Sequence, residues 1–248
     1  MQKIVKWTVL LSIMVLPFLI YFLFVYSANE NFFLTLDYVG PKQTIETEEG
    51  FDTTYYQIPE WEFTDQDGQL LTRKDMEGKI YLSSFFFCSC PSICPVMNFH
   101  LKTVFDRFEG REHFYIISHS VDPERDSVPV LKAYAKERGY DHPQWRFVTG
   151  TKGQVYDVAN SYFLNAMEDH LAPGGFLHSE SVVLVDWNGH IRSRKDDNGN
   201  IVALYNVLEP VELNMLKEDI KVLIAEQFKE EAREAKKRED AKKALDEK

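Results

Sequence analysis

"KIYLSSFFFCSCPSICPVMNFHLKTVFDRF", residues 79–108, decides the fold. Its first nine residues form a continuous apolar run, the mark of a strand covered by helices on both faces. Farther on, Met97, Leu101, Val104, Phe105 and Phe108 recur at helical spacing on one face. Between strand and helix lie all three cysteines of the 248-residue chain, Cys88, Cys90 and Cys94, within seven positions. Such clustering is no scattered disulfide framework and points to local chemistry.

The prolines narrow the geometry. Pro91 suits the first positions of a helix, where its missing N–H costs nothing, and Pro95 restrains the turn that presents Cys94. A helix starting near Pro91 puts Cys94 on its first turn and Cys90 just before it, so both sulfurs face one point. Free N–H groups and the positive dipole end there favour the thiolate, which is the nucleophile and the metal-binding form. Three intervening residues leave room for a soft ion and still permit a disulfide. Thiolates select Cu(I) or zinc, and an imidazole extends the site to Cu(II). Cys88, in an extended strand, shares a face with Cys90; it is a third thiolate, a resolving partner or a small buried core residue.

A third ligand is wanted, and seven histidines compete. His100 falls on the helix, His113, His119 and His190 in or beside strands, and His142 and His170 in polar loops. His178 differs, because "APGGFLHSE" is a glycine-bearing loop feeding an apolar strand and is able to reach over a neighbouring strand end.

Outward from the motif, strands alternate with helices. "WEFTDQDGQLLT" reads as a hairpin turning at Asp67-Gly68, and "HFYIISHSVD" as a strand. "DSVPVLKAYAKERG" is a helix that Asp126 or Ser127 caps and Gly139 ends. "WRFVTG" is a strand, "TKGQVYDVANSYF" a helix, and "SVVLVDWNGHIRS" a hairpin at Asn188-Gly189. The pattern predicts an α/β layer with a largely parallel centre and an antiparallel edge, whose ligands meet the carboxyl ends of the strands.

The ends are different in kind. Residues 7–26 carry no charge and at about 1.5 Å per residue span one bilayer core, so they are expected to be a transmembrane anchor. Lys3 and Lys6 keep residues 1–6 in the cytoplasm and place the remainder outside. Residues 27–56 read as a linker and 57–226 as the domain. Residues 227–248 read as a charged helical tail with pairs such as Glu239 and Lys243. A net charge of −11 gives no footprint for nucleic acid.

Four motifs in order, "CPSICP", "SVDPERDS", "WRFVTGT" and "HSESVVLVDWNG", give residues 57–226 a resemblance to the Sco/SenC proteins, thioredoxin-like copper proteins of cytochrome oxidase assembly. The resemblance implies a thioredoxin-like fold in which Cys90, Cys94 and His178 bind one copper ion, Cu(I) or Cu(II). It further implies transfer, without turnover, to the dinuclear copper site of a terminal oxidase. The implied partners are the oxidase subunit bearing that site and an upstream copper donor or thiol reductant. The implied place is the inner membrane, with the domain on the periplasmic or extracytoplasmic side. Asp122 and Arg125 of "DPERD" read as loop shape. The sequence departs from the family pattern at Cys88, where threonine is common, and at Ser92 and Leu177, where aspartate is common, which removes two acidic neighbours from the ligand set.

Two other readings stay open. One is a thiol:disulfide reductase using Cys90 and Cys94 without metal; the other is a structural zinc site from all three cysteines and His178. A peroxidase is disfavoured, because Phe87 and Pro91 stand three residues before Cys90 and Cys94, where threonine or serine is expected.

Overall fold

The computed structural model describes residues 13–22, 35–47, 50–164, 167–168, 176–177, 180–196 and 198–246. In chain order the strands are β1 (Asp37–Tyr38), β2 (Lys42–Thr47), β3 (Gly50–Tyr55), β4 (Glu62–Asp65), β5 (Leu70–Thr72), β6 (Ile80–Phe86), β7 (Phe114–Ser120), β8 (Trp145–Thr149), β9 (Met167–Glu168), β10 (Phe176–Leu177), β11 (Ser181–Val185), β12 (Arg192–Ser193) and β13 (Tyr205–Asn206). The helices are α1 (13–22), α2 (Ile93–Phe108), α3 (Val128–Glu137), α4 (Lys152–Ser161) and α5 (Pro210–Asp246).

Seven strands form the main sheet in the order β13-β11-β6-β7-β8-β4-β5. β6, β7 and β8 run parallel, and both flanks are antiparallel. Every residue of β6 is buried because both faces of the sheet are covered. On one face α2 lays Phe105 on Trp145 and Phe108 on Phe114, with ring centroids 5.7 and 5.2 Å apart. α5 covers the same face where Tyr205 donates its hydroxyl to Asp219 at 2.6 Å. On the other face Tyr162, just past α4, meets the Tyr81 hydroxyl at 3.1 Å. Alternation along β6 and β7 then pairs serine with serine at Ser84 and Ser118, 3.0 Å apart on the α2 face, which satisfies two buried hydroxyls.

Both expected hairpins form. Gly68 and Gly189 take the positive φ their turns need, +75° and +81°. The tail is helical through Asp246, with the expected Lys243–Glu239 ion pair at 2.6 Å.

The stretch read as a linker differs in part. It contains β1, β2 and β3, and Leu36 and Val39 are buried. The cause lies in the last hairpin: β12 pairs with β1, Asp37 opposite Ser193 and Tyr38 opposite Arg192. The short polar strands β1–β3 show no sustained period, so no pattern in the sequence announces them.

The N-terminal unit, residues 1–35, is separate from the unit Leu36–Lys248. The ten described residues of its helix α1 include exposed apolar side chains such as Phe18 and Leu19. No helix among the described residues is long and apolar enough to cross a membrane. Residues 7–12 and 23–26 of the expected anchor lie outside the described residues.

Candidate metal centre

β6 and β7 end side by side: Phe86 pairs with Ser120, and the Val121 N–H donates to the Phe86 carbonyl at 2.8 Å. The loops leaving their carboxyl ends are therefore neighbours. One is the cysteine motif and the other is "VDPERDS".

The motif loop turns at Cys88-Ser89, where the Cys90 N–H donates to the Phe87 carbonyl at 3.2 Å. Ser92 caps α2 by position, with no side-chain bond, and Cys94 sits on the first turn. Cys90 is 6% exposed and Cys94 is fully buried. The Cys94 N–H points at the Cys90 sulfur, 3.4 Å away. The Cys94 thiol is in turn a hydrogen-bond neighbour of the Cys90 side chain, so the two motif side chains meet at a helix N-terminus, and no cysteine is in a disulfide.

One electrostatic expectation is corrected. The helix N-terminus was expected to favour the thiolate, but burial, reinforced by Cys90 beside it, pushes the Cys94 thiol well above the ordinary range. Backbone N–H groups lower it by less. Desolvation outweighs the dipole because nothing of the side chain reaches water.

Cys88 goes elsewhere. The turn takes it off the extended path, so it does not share a face with Cys90. It is half-buried and lines a depression of about 410 Å³ with Pro129, Val130 and Tyr134 of α3 and Arg138 just past its end. No group of three histidine, cysteine or acidic side chains able to hold a metal exists among the described residues. Cys88, Cys90 and Cys94 form no such group, and His178, the fourth member of the zinc arrangement, is outside the described residues.

His178 lies outside the described residues; β10, paired antiparallel with β9, ends at the residue before it. Four other histidines have settled structural surroundings. His119 is fully buried with its ring stacked on Phe85 at 4.9 Å, and Nδ1 lies 3.3 Å from the Ser84 carbonyl. His190 meets the Tyr56 carbonyl at 2.8 Å, and His142 accepts from the Gln144 N–H at 3.1 Å. His100, half-buried on α2, lies beside Phe99. His170 is outside the described residues.

Asp126 is not a cap. The N-cap of α3 is Ser127, which makes no side-chain bond. The Asp126 carboxylate, 1% exposed, turns back to the motif: its Oδ2 accepts from the Cys88 N–H at 2.9 Å and from the Ser120 hydroxyl at 2.6 Å. Sequence reasoning missed this because the residue stands where helix caps stand; the one signal was that its loop follows the strand beside the motif. Asp122 and Arg125 do shape that loop through a mutual ion pair. The larger cavity, about 650 Å³, lies between β4 and α4 and is lined by Trp61, Phe63 and Val158, with none of the cysteines.

A mixed α/β domain with two apposed thiols at the carboxyl end of a central parallel strand defines a thioredoxin-like dithiol protein. Comparison makes the assignment narrower. The SCO1/SenC family model matches residues 52–211, and the chain belongs to that family. A SCO1 protein homolog of Bacillus subtilis is 29% identical over 150 residues, covering 60% of this chain and 77% of the relative. Several other curated relatives are spanned over less than two thirds of their length. Among solved structures, BsSco, described with a disulfide switch and as a member of the Sco family of cytochrome c oxidase assembly proteins, is 26% identical. It superposes with a TM-score of 0.56 over 68% of this chain and 93% of that one. ScoI of Bradyrhizobium japonicum with copper bound is 25% identical, with a TM-score of 0.52 over 67% and 98%.

Proposed function

We propose that this chain is a copper carrier, held at the membrane by residues 7–26, that binds one copper ion through Cys90, Cys94 and His178 and passes it to the dinuclear copper site of a terminal oxidase. The observation that carries the reading is the convergence of two buried motif sulfurs, with the Cys94 N–H 3.4 Å from the Cys90 sulfur. Two thiolates suit Cu(I), and an imidazole from the loop before β11 supplies the harder donor that Cu(II) accepts. Membership in the SCO1/SenC family and the copper bound to the Bradyrhizobium relative support the choice of metal. In this reading the ion is cargo, received from a copper donor and released to an oxidase subunit.

The test is a competition titration of the reduced protein with Cu(I) and a chromophoric chelator. One equivalent is expected to bind, and Cys90→Ala, Cys94→Ala and His178→Ala each weaken it. Affinity in all three variants equal to that of the unaltered protein sinks the reading.

A second reading, thiol:disulfide exchange with an oxidase subunit, has one observation in its favour. The two motif side chains are neighbours, as a dithiol reductant requires, and BsSco is described with a disulfide switch. His178→Ala retaining full assembly activity while Cys90→Ala and Cys94→Ala lose it would select exchange over delivery.

A further inference from the structure

We infer that Asp126 is a positioning residue for the Cys90–Cys94 pair: its buried carboxylate, fixed by Ser120 at the end of β7, holds the Cys88 backbone N–H and so sets the loop that presents Cys90. The inference rests on the reading of this pair as the working site.

The geometry carries it. Between Phe86, the last residue of β6, and Ile93, the first of α2, the motif loop is joined to the helix by the Cys94 N–H on the Cys90 sulfur and by a Phe87 backbone bond to the Cys94 sulfur. The Cys90 N–H reaches the Phe87 carbonyl, and the N-cap Ser92 contributes no side-chain bond. A tie from outside the loop is Asp126, which accepts the Cys88 N–H at 2.9 Å across 38 residues of sequence. Asp126 is itself held. Ser120 donates its hydroxyl to it at 2.6 Å and accepts the Asp122 N–H at 3.2 Å, and the Asp126 N–H donates to the Asp122 carbonyl at 2.9 Å. A side chain so constrained transmits the position of β7 to the motif.

The Asp126 carboxylate meets both the Cys88 backbone N–H and the Cys88 thiol, and the backbone bond is the part that any residue at position 88 would keep. It also keeps Cys88 toward α3 and away from the pair, leaving two thiols rather than three at the site. The anchor matters most when the sulfurs are reduced, because a Cys90–Cys94 disulfide ties the loop covalently. Loss of Asp126 therefore favours the oxidised form and loosens the preset geometry a soft ion needs.

Three variants of the full chain test this: Asp126→Ala, Asp126→Asn, whose side-chain oxygen keeps both acceptor bonds, and Cys88→Ala. Two readouts are compared, Cu(I) affinity by chelator competition and the thiol–disulfide equilibrium in dithiothreitol buffers. In the second, the Cys90–Cys94 disulfide takes two electrons and two protons from reduced dithiothreitol, whose sulfurs close into a ring. For Asp126→Ala the expected results are at least a tenfold loss of Cu(I) affinity and a tenfold shift toward the disulfide, about 30 mV for a two-electron couple. Asp126→Asn is expected to restore both to within about twofold, and Cys88→Ala, which removes the thiol contact with Asp126 and keeps the backbone bond, to stay within about twofold of the unaltered protein.

A folded Asp126→Ala protein with unchanged affinity and potential overturns the inference, as does an Asn variant as impaired as the Ala variant. If Asp126→Ala does not fold, Ser120→Ala, which frees the carboxylate, must shift the potential in the same direction, and no shift overturns the claim. If the unaltered protein binds no Cu(I), the delivery reading fails, while the potentials still decide the role of Asp126.

Discussion

His119 shows how one residue's burial becomes a property of the protein. Its ring lies among Phe85, Phe63 and Tyr162, and burial lowers its pKa to about 4 from 6.5. Between those values the unfolded chain binds a proton that the native state refuses, so unfolding gains as pH falls. The contribution is complete above about pH 6.5 and declines toward pH 4, by about 3 kcal/mol in all. Urea denaturation at pH 7 and pH 4.5 is expected to show this loss, and His119→Phe to flatten it; an unchanged acid slope in that variant would show that other groups govern it. Cys94 illustrates the same competition with the opposite sign, since burial holds the proton on. The spacing of the cysteines is legible because helix geometry is local. The protonation of Cys94 is not, because it depends on what closes over it.

At the scale of elements, the joint between β1, β12 and α5 is built on Arg192. Its guanidinium meets Asp186 at 3.1 Å, Glu226 at 2.6 Å and the Leu36 carbonyl at 2.7 Å, and lies over the Tyr38 ring. Glu226 also accepts the Leu36 N–H at 2.8 Å. Removing one charge from such a buried set leaves the others uncompensated, so Arg192→Ala is expected to cost about 3–5 kcal/mol in denaturant titrations. A cost below 1 kcal/mol would mean that water replaces the guanidinium. α5 has two parts. Leu216, Ile220, Leu223 and Gln227 are buried, with Gln227 donating to the Gly78 carbonyl at 2.7 Å, whereas residues 228–244 are exposed. A chain cut after residue 229 is expected to melt with the full-length protein, and one cut before Leu223 to lose its cooperative transition. Thr151 opens α4 with a capping box to Gln154, and Thr151→Ala is expected to cost about 1 kcal/mol.

Across the whole molecule, what the sequence reveals follows the range of the interaction responsible. The apolar run at 80–86, the heptad-like face of α2 and the Asp67-Gly68 and Asn188-Gly189 turns are local signals, and each stands where it was read. The pairing of β1 with β12 joins residues more than 150 positions apart and rests on Arg192, which no periodicity marks. Asp126 was misread for a related reason: its local context says helix cap, and only the adjacency of β6 and β7 turns it toward Cys88.

The central claim is that two thiols and the imidazole of His178 take one copper ion, with Cys88 excluded. X-ray absorption at the copper edge, on the full chain loaded with one equivalent of Cu(I), reads that coordination most directly. Two sulfur neighbours and one nitrogen neighbour are expected, with the nitrogen lost in His178→Ala and no change in Cys88→Ala. Three sulfurs around the metal, or the same nitrogen in His178→Ala, would contradict the account.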